Sequence, residues 1–251
     1  MKSVSNLKKW VNDEYAKVDG DPWGLDWRPT QQYRYSHVIE AINTHINKDG
    51  LMLADIGCAT GIFTNYIHQN YKNTCAIVKG VDISSVAIER AREKYPDLEF
   101  IVSDIKNFSE NYKGTQDVVI CLETLYYIEP DKRNEAILQL LAALKNDGYL
   151  VISSLNSKPP YLSKNELIDL LSDFKIVEVS EINVKPIIKL ERVIIKIDRL
   201  LLKLGIKFNA LKNLFRFIFP HKVIKFISDV FKRMANKSTT SHILAIAQRK
   251  H

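Results

Sequence analysis

The chain has 251 residues, of which 46% are hydrophobic and 26% charged, so it can bury a conventional core. This composition excludes a disordered chain, a collagen-like repeat and a small disulfide scaffold. The three cysteines, Cys58, Cys75 and Cys121, have no C-x-x-C spacing, which argues against a zinc ribbon and favours a reducing, cytoplasmic compartment. We expect no signal peptide, because residues 1–21 lack an apolar core, and no transmembrane helix, because no apolar run reaches roughly 18 residues.

The net charge of +7 is unevenly distributed along the chain. Residues 185–237 contain 14 Lys or Arg and three acidic residues, an excess of 11 positive charges, which leaves −4 for the remainder. Any anionic partner is therefore expected to meet this basic segment rather than the whole surface.

Residues 50–156 alternate short β-branched runs with helical patterns, which predicts strand-helix units and a parallel sheet. We predict strands at 50–57, 75–83, 98–105, 115–124 and 148–156, and helices at 61–70, 84–95 and 131–145. Ser84 or Ser85 is the expected N-cap of the second helix. A turn at 146–148 is expected to end the third.

The sheet is predicted to resume after an insertion. Ser163 and Glu166 form a capping-box pattern for a helix at 163–174, and strands are predicted at 175–184 and 241–250. Between these strands we predict three basic amphipathic helices, the first ending at Gly205, the others at 210–219 and 223–234. In the third, Val223, Phe226, Ile227 and Val230 share one apolar face, and we expect the apolar residues of the insertion to be used in packing.

A glycine turn follows the first predicted strand, in the sequence Asp55-Ile-Gly57-Cys-Ala59-Thr-Gly61. Glycines at such a turn allow the backbone to approach a ligand, and the following helix N-terminus offers free N–H groups. The spacing excludes the G-x-G-x-x-G fingerprint of dinucleotide-binding sites, because Ala59 occupies the middle position.

Two further carboxylates follow the next two strands. Asp82 ends the second strand, where its two oxygens could accept hydrogen bonds from a pair of ribose hydroxyls, or could serve the backbone alone. Asp104 ends the third strand, where it could accept from an adenine amino group or cap the following turn.

This order of motifs closely resembles the class I S-adenosylmethionine-dependent methyltransferases, over about residues 50–156 and by topology through 184 and 241–250. The resemblance implies a Rossmann-like α/β fold: a seven-stranded, mostly parallel sheet of order 3-2-1-4-5-7-6, an antiparallel last strand and helices on both faces. The implied divisions are 1–48 as an N-terminal lid and first helix, 49–184 with 240–251 as the cofactor-binding core, and 185–239 as a helical cap.

The resemblance also implies the roles of individual residues toward S-adenosylmethionine. Asp55, Gly57 and Gly61 would shape the methionine pocket, Asp82 would bind the ribose and Asp104 the adenine. The predicted cofactor site includes their neighbours and the end of the fourth strand: Cys58, Ala59, Phe63, Ile83, Ile105 and Leu122. Ala59 is a departure from the common G-x-G-x-G form.

Residues 21–27 and the following helix look similar to the lid of small methyltransferases related to nodulation-factor and sugar-modifying enzymes, as do residues 125–128. The similarity makes Arg34 a candidate partner for the methionine carboxylate. Trp23 and Trp27 are either packing residues or a substrate platform. Glu123, with Thr124, would form the floor beneath the sulfonium.

Glu123, Tyr126 and Tyr127 are the candidate catalytic residues, because a hydroxyl acceptor needs a base or a strong hydrogen-bond acceptor nearby. No metal site is predicted, since Glu129 and Asp131 make only a weak pair. The absence of an N-P-P-Y tetrad after the fourth strand disfavours nucleobase amines as acceptors.

The preferred hypothesis is methyl transfer to an oxygen or nitrogen of a small or carbohydrate-type acceptor, which could be anionic and related to a cell-surface glycan. Two alternatives remain. One is an RNA methyltransferase that uses the basic segment, although nucleic acid is the weakest partner. The other is a non-catalytic cofactor-binding protein that docks on a membrane or a partner. The segment 185–239 could be a solvated face, a cap over an anionic substrate or a peripheral membrane contact at the inner surface. The oligomeric state is not predicted.

Overall fold

The computed structural model describes residues 4–17, 21–46, 48–203, 209–234 and 240–250. In chain order the strands are β1 (Met52–Ile56), β2 (Ile77–Asp82), β3 (Glu99–Val102), β4 (Gln116–Leu122), β5 (Leu144–Leu155), β6 (Phe174–Ile182) and β7 (His242–Arg249). They form one sheet of order β3-β2-β1-β4-β5-β7-β6, mostly parallel with β7 antiparallel and with helices around it. The predicted fold class is therefore confirmed.

The described helices are α1 (Val4–Ala16), α2 (Pro29–His45), α3 (Ile62–Tyr71), α4 (Ser85–Lys94), α5 (Ile105–Asn111), α6 (Arg133–Ala143), α7 (Lys164–Leu170), α8 (Lys185–Lys203), α9 (Asn209–Ile218) and α10 (His221–Arg233). Ser84 caps α4 by accepting from the backbone N–H of Ala87 at 3.1 Å. Ser163 and Glu166 form the predicted capping box of α7. The predicted helix end at Gly205 lies outside the described residues. Within the described ranges, no helix combines the length and hydropathy needed to cross a bilayer.

Three local features differ from the sequence prediction. Helices α1 and α5 were not predicted. The turn expected at 146–148 is wrong, because these residues lie inside β5, which begins directly after α6. A register irregularity against β4, between Gln116 and Val118, accommodates the extra residues of β5.

The chain divides into two compact units. The first comprises 1–22, 38–180 and 243–251 and contains the sheet's main core, in which β1, β4 and β5 contribute fully buried side chains such as Ala54, Val119 and Ile152. Ile56 is in register with Val81 of β2 and Cys121 of β4, so the carboxyl ends of these strands meet at one edge. Side chains that follow the strands are therefore brought together there.

The second unit comprises 23–37 and 181–242 and has its own apolar core. Trp27, Ile188, Ile194, Phe215 and Ile224 are buried in it, so Trp27 is a packing residue. The expectation that the insertion's apolar residues are used in packing holds for Ile224 and Ile227 of the third helix. It is wrong for Val223, Phe226 and Val230 of the same helix, which are exposed.

A fully buried carboxylate organises this second unit. Glu191 of α8 accepts from the Arg28 Nε at 2.8 Å, the Thr30 backbone N–H at 2.9 Å and the Thr30 hydroxyl at 2.6 Å. These bonds attach Arg28 and the first turn of α2 to α8 and satisfy both oxygens of the buried carboxylate.

Replacing Glu191 by Ala is expected to lower the free energy of unfolding by about 3 kcal/mol, because it leaves the Arg28 guanidinium and two donors of Thr30 without their acceptor. Chemical denaturation measures the loss. Asp229→Ala, which removes an exposed carboxylate from α10, is the matched control and should change stability by less than about 0.5 kcal/mol. Equal effects of the two substitutions would contradict this role of Glu191.

Candidate functional site

The glycine turn between β1 and α3 has three residues in the left-handed region. Gly57, Ala59 and Gly61 have φ angles of +77°, +54° and +75°. A Cβ on Gly57 would lie 2.1 Å from the Thr124 hydroxyl oxygen, and one on Gly61 would lie 2.5 Å from the Phe100 ring. Glycine is therefore required at both ends of the turn, because the backbone is left-handed there and a Cβ would clash. Ala59 adopts the same left-handed conformation at a cost in backbone strain energy.

Asp82 joins this turn to the end of β2. Its Oδ2 accepts from the Ala59 backbone N–H at 2.9 Å, and its Oδ1 accepts from the Ser84 backbone N–H at 2.8 Å. Burial raises the pKa of Asp82, and the two backbone bonds oppose that rise. The carboxylate thus lies one strand beyond the glycine turn and fixes its middle residue.

A second carboxylate, Asp55, lies in the buried end of β1. It accepts from the Thr64 hydroxyl of α3 at 2.7 Å. Burial raises the pKa of Asp55 to about 7. The hydrogen bond from Thr64 lowers this pKa, and the nearby charge of Asp82 raises it further. Burial also raises the pKa of Cys58 well above its usual value, with contributions from both carboxylates, so this thiol stays protonated.

The end of β4 places Glu123 at the same edge. Glu123 has a φ of +56°, and its Oε1 accepts from the Ser153 hydroxyl of β5 at 2.9 Å. The neighbouring Thr124 hydroxyl donates to the Leu122 carbonyl at 3.0 Å and packs against the position of Gly57. A carboxylate held in a sparsely populated backbone conformation, beside the glycine turn, is typical of a functional position.

An aromatic cluster follows Glu123. The Tyr126 ring lies 4.7 Å from the Tyr127 ring and 4.9 Å from the Tyr161 ring, and the Trp10 ring lies 5.8 Å from that of Tyr127. Burial raises the pKa of Tyr127, so its phenol remains neutral at physiological pH. Tyr127 is still 37% exposed, which leaves ring surface available to a ligand.

Helix α1 contributes residues to this edge that the sequence analysis missed. The Ser84 hydroxyl donates to the Asn12 side-chain oxygen at 2.6 Å, and burial followed by the charge of Asp82 raises the pKa of Tyr15. Leu7, Trp10, Val11 and Tyr15 have the spacing of an amphipathic helix, and this pattern is sufficient to predict α1 from the sequence.

The other residues predicted to bind the cofactor make contacts within the protein. Asp104 caps α5, with its Oδ1 accepting from the Asn107 backbone N–H at 2.8 Å, and its role toward adenine stays a prediction. Arg34 is buried in the second unit and donates to the Gln31 side chain at 2.7 Å, and its role toward a carboxylate also stays a prediction. The remaining predicted cofactor residues lie at strand ends or helix starts: Phe63 in α3, Ile83 after β2, Ile105 in α5 and Leu122 in β4.

Comparison with known protein families identifies the domain that contains these residues. Residues 53–148 match the family model described as "Methyltransferase domain". Residues 53–148 therefore form a methyltransferase domain. The matched residues extend from β1 to β5 and include the glycine turn, Asp82 and Glu123.

A "Ubiquinone biosynthesis O-methyltransferase" of Xanthomonas euvesicatoria pv. vesicatoria (strain 85-10) is 25% identical over 157 residues, covering 62% of this chain and 64% of that relative. Across the first curated relatives, the chain spans between 39% and 66% of their length.

Two solved structures share the fold of this methyltransferase domain. The N-methyltransferase NodS from Bradyrhizobium japonicum WM9, in complex with S-adenosyl-L-homocysteine, has a TM-score of 0.64 at 18% identity and covers 98% of this chain and 100% of that chain. The [4+2]-cyclase SpnF has the same TM-score at 14% identity, covering 99% of this chain and 97% of that chain. Because proteins named for different reactions share this fold, the fold does not define the reaction.

Gly57→Ala is expected to destabilise the methyltransferase domain by about 2 to 5 kcal/mol, through the left-handed backbone and the clash with Thr124. Denaturation curves measure the change. Gly114→Ala is the matched control, since Gly114 also has a positive φ but a Cβ there meets nothing within 4 Å, and it should cost only about 1 to 2 kcal/mol.

The clash is tested separately by combining Gly57→Ala with Thr124→Ala. Removing the Thr124 hydroxyl and methyl should recover part of the stability lost in the Gly57 variant. If the second substitution recovers nothing, the clash is not the cause.

The raised pKa of Asp55 predicts a pH dependence of stability. The unfolded carboxyl ionises near pH 4 and the folded one near pH 7, so the unfolded state releases its proton first. The free energy of unfolding should therefore fall by up to about 4 kcal/mol as pH rises from 4 to 7. Thermal melts across this range should show a shallower slope in Asp55→Asn, and an unchanged slope would contradict the assignment.

Proposed function

We propose that the protein is a methyltransferase that uses S-adenosylmethionine to methylate an oxygen or nitrogen of a small or carbohydrate-type acceptor. The observation that carries this proposal is the position of Asp82, which is buried one strand beyond the glycine turn and bonded to its middle residue. This is the place where a carboxylate can meet the ribose of a nucleoside bound on the turn.

The residues present fit such a cofactor. The Asp82 Oδ2 accepts from the Ala59 N–H and the Oδ1 from the Ser84 N–H, and a carboxylate oxygen can accept more than one hydrogen bond, so a ribose hydroxyl could also donate to Asp82. Gly57 and Gly61 present backbone without side chains at the two ends of the turn, and the Cys58 thiol between them stays protonated. In this proposal Asp104 contacts the adenine, whereas the role of Arg34 toward the methionine carboxylate stays a prediction from the family resemblance.

S-adenosylmethionine supplies an electrophilic methyl group when bound, so the chain's task is to place the acceptor in line with it. Ordering two reactants in this way can contribute about 7 to 11 kcal/mol. Glu123 is fixed by Ser153 and would accept the proton of an acceptor hydroxyl. Tyr127, whose pKa is raised, would act as a neutral hydrogen-bonding wall rather than as a base, together with Tyr126.

The aromatic cluster supports a small acceptor with a flat or apolar face. Partly exposed Tyr and Trp rings beside a carboxylate suit a sugar ring or a small aromatic acceptor, which stacks on the rings and offers a hydroxyl or amine to Glu123. The O-methyltransferase and N-methyltransferase names of the relatives are consistent with either acceptor atom.

We also propose that residues 49–184 and 240–251 bind the cofactor while 185–239 is a separate helical insertion, and that the protein works in the cytoplasm. The compartment is supported by three cysteines that form no disulfide, two of them buried and one exposed.

Transfer of a radiolabelled methyl group from S-adenosylmethionine to a panel of small acceptors tests the proposal. With a hydroxyl acceptor, Glu123→Gln should lower kcat by about 10² to 10⁴-fold, because the proton acceptor is lost, while the affinity for S-adenosylhomocysteine stays unchanged. Glu110→Gln, an exposed change on α5, is the control and should leave kcat unaltered. Cofactor binding without transfer to any acceptor would favour the non-catalytic alternative.

A further inference from the structure

Helices α8, α9 and α10 of the second unit are apolar on two sides. On one side they contribute Ile188, Ile194, Phe215 and Ile224 to the buried core of this unit. A helix that only covers a core has polar residues on its opposite side. The opposite sides of these three helices carry apolar side chains instead.

On α8 the outward apolar residues form a stripe. Leu190, Val193, Ile197 and Leu200 are all exposed, at the i, i+3, i+7 and i+10 spacing that places residues along one face of a helix. Lys189, Arg192 and Lys196 are also exposed and follow the same spacing along the adjoining edge of the stripe. Apolar and basic residues thus run side by side along the outer face.

The next two helices repeat this pattern. Phe217 of α9 is 83% exposed and Phe226 of α10 is 68% exposed, which is unusual for large aromatic side chains. Val223 and Val230 extend the outer stripe of α10 on both sides of Phe226. Among the residues whose exposure is described, 11 of the 16 large exposed hydrophobic residues lie between 190 and 234.

The charge of this surface is strongly positive. Residues 185–237 have 11 more basic than acidic side chains, and two of their three carboxylates are used internally. Glu191 is buried against Arg28 and Thr30, and Asp198 accepts an ion pair from Lys212 at 2.7 Å. The outer surface therefore presents bases with little compensating charge.

We propose that the outer surface of α8, α9 and α10, defined by the exposed residues within 189–200, 214–218 and 222–234, docks on the surface of an anionic phospholipid bilayer. Exposed Phe and Leu side chains insert at the boundary between headgroups and acyl chains, and the adjoining Lys and Arg pair with lipid phosphates. The charge and the apolar stripes together favour an anionic bilayer over other partners. A second copy of the chain would bring two strongly basic surfaces together, and a nucleic acid would leave the apolar stripes in water.

Flotation of the full chain with phosphatidylcholine vesicles, with and without phosphatidylglycerol, tests this surface. Binding is expected only when phosphatidylglycerol is present, and it should weaken as salt is added. Phe217→Asp combined with Phe226→Asp should weaken binding by about tenfold or more for each Phe replaced, because both rings lose their burial in the bilayer.

The matched control is Leu138→Asp, which introduces the same charge at an exposed apolar position of α6 in the first unit. It should leave vesicle binding unchanged, and the melting temperatures of all variants should match that of the wild type. A further variant, Lys189→Gln with Arg192→Gln and Lys196→Gln, should weaken binding to anionic vesicles by about tenfold or more.

Several results would overturn the proposal. These are no binding to anionic vesicles, equal binding to neutral vesicles, or equal loss in the Leu138 control. A dimer by light scattering that the Phe217 and Phe226 substitutions dissociate would assign the surface to a second copy. Salt-dependent binding to RNA without vesicle binding would assign it to nucleic acid. Because no cofactor is present in these assays, they are independent of the proposed methyl transfer.

Discussion

The candidate site depends on one buried carboxylate. Asp82 accepts from the backbone of Ala59 and of Ser84, and so connects the glycine turn after β1 with the start of α4 after β2. The turn needs this connection because Ala59 lies in the left-handed region, which costs a non-glycine residue about 1 to 2 kcal/mol. A charge-assisted hydrogen bond to its N–H can offset that cost. The same carboxylate that would bind a ribose is thereby part of the turn's own architecture.

Each of the two units of the chain contains buried carboxylates. In the first unit, Asp55 and Asp82 are buried, and the burial raises the pKa of both carboxyls. In the second, Glu191 is buried among three donors from Arg28 and Thr30. Carboxyls whose ionisation is disfavoured by burial are typical of functional sites, which supports a functional role for Asp55 and Asp82.

The sheet could be predicted because parallel strands buried on both faces are continuous apolar runs, and the motifs at their ends follow a fixed order. Asp82 and the glycines were predicted in this way. Helix α5 has only seven residues, which is too short for a periodic pattern to predict it, and the position of Asp104 is compatible with either capping or ligand binding. The function of Glu191 could not be predicted, since its partners lie about 160 residues away in sequence. The exposed stripe of α10 was misinterpreted because periodicity identifies an apolar face without showing what covers it.

Calorimetric titration of the folded protein with S-adenosylhomocysteine tests the central claim most directly. We predict micromolar binding by the wild type, a loss of about tenfold or more in Asp82→Asn through the weakened hydrogen bonds, and no change in the exposed control Asp131→Asn. Absence of binding by the wild type, or equal affinity in Asp82→Asn, would contradict the assignment of this edge of the sheet as the cofactor site.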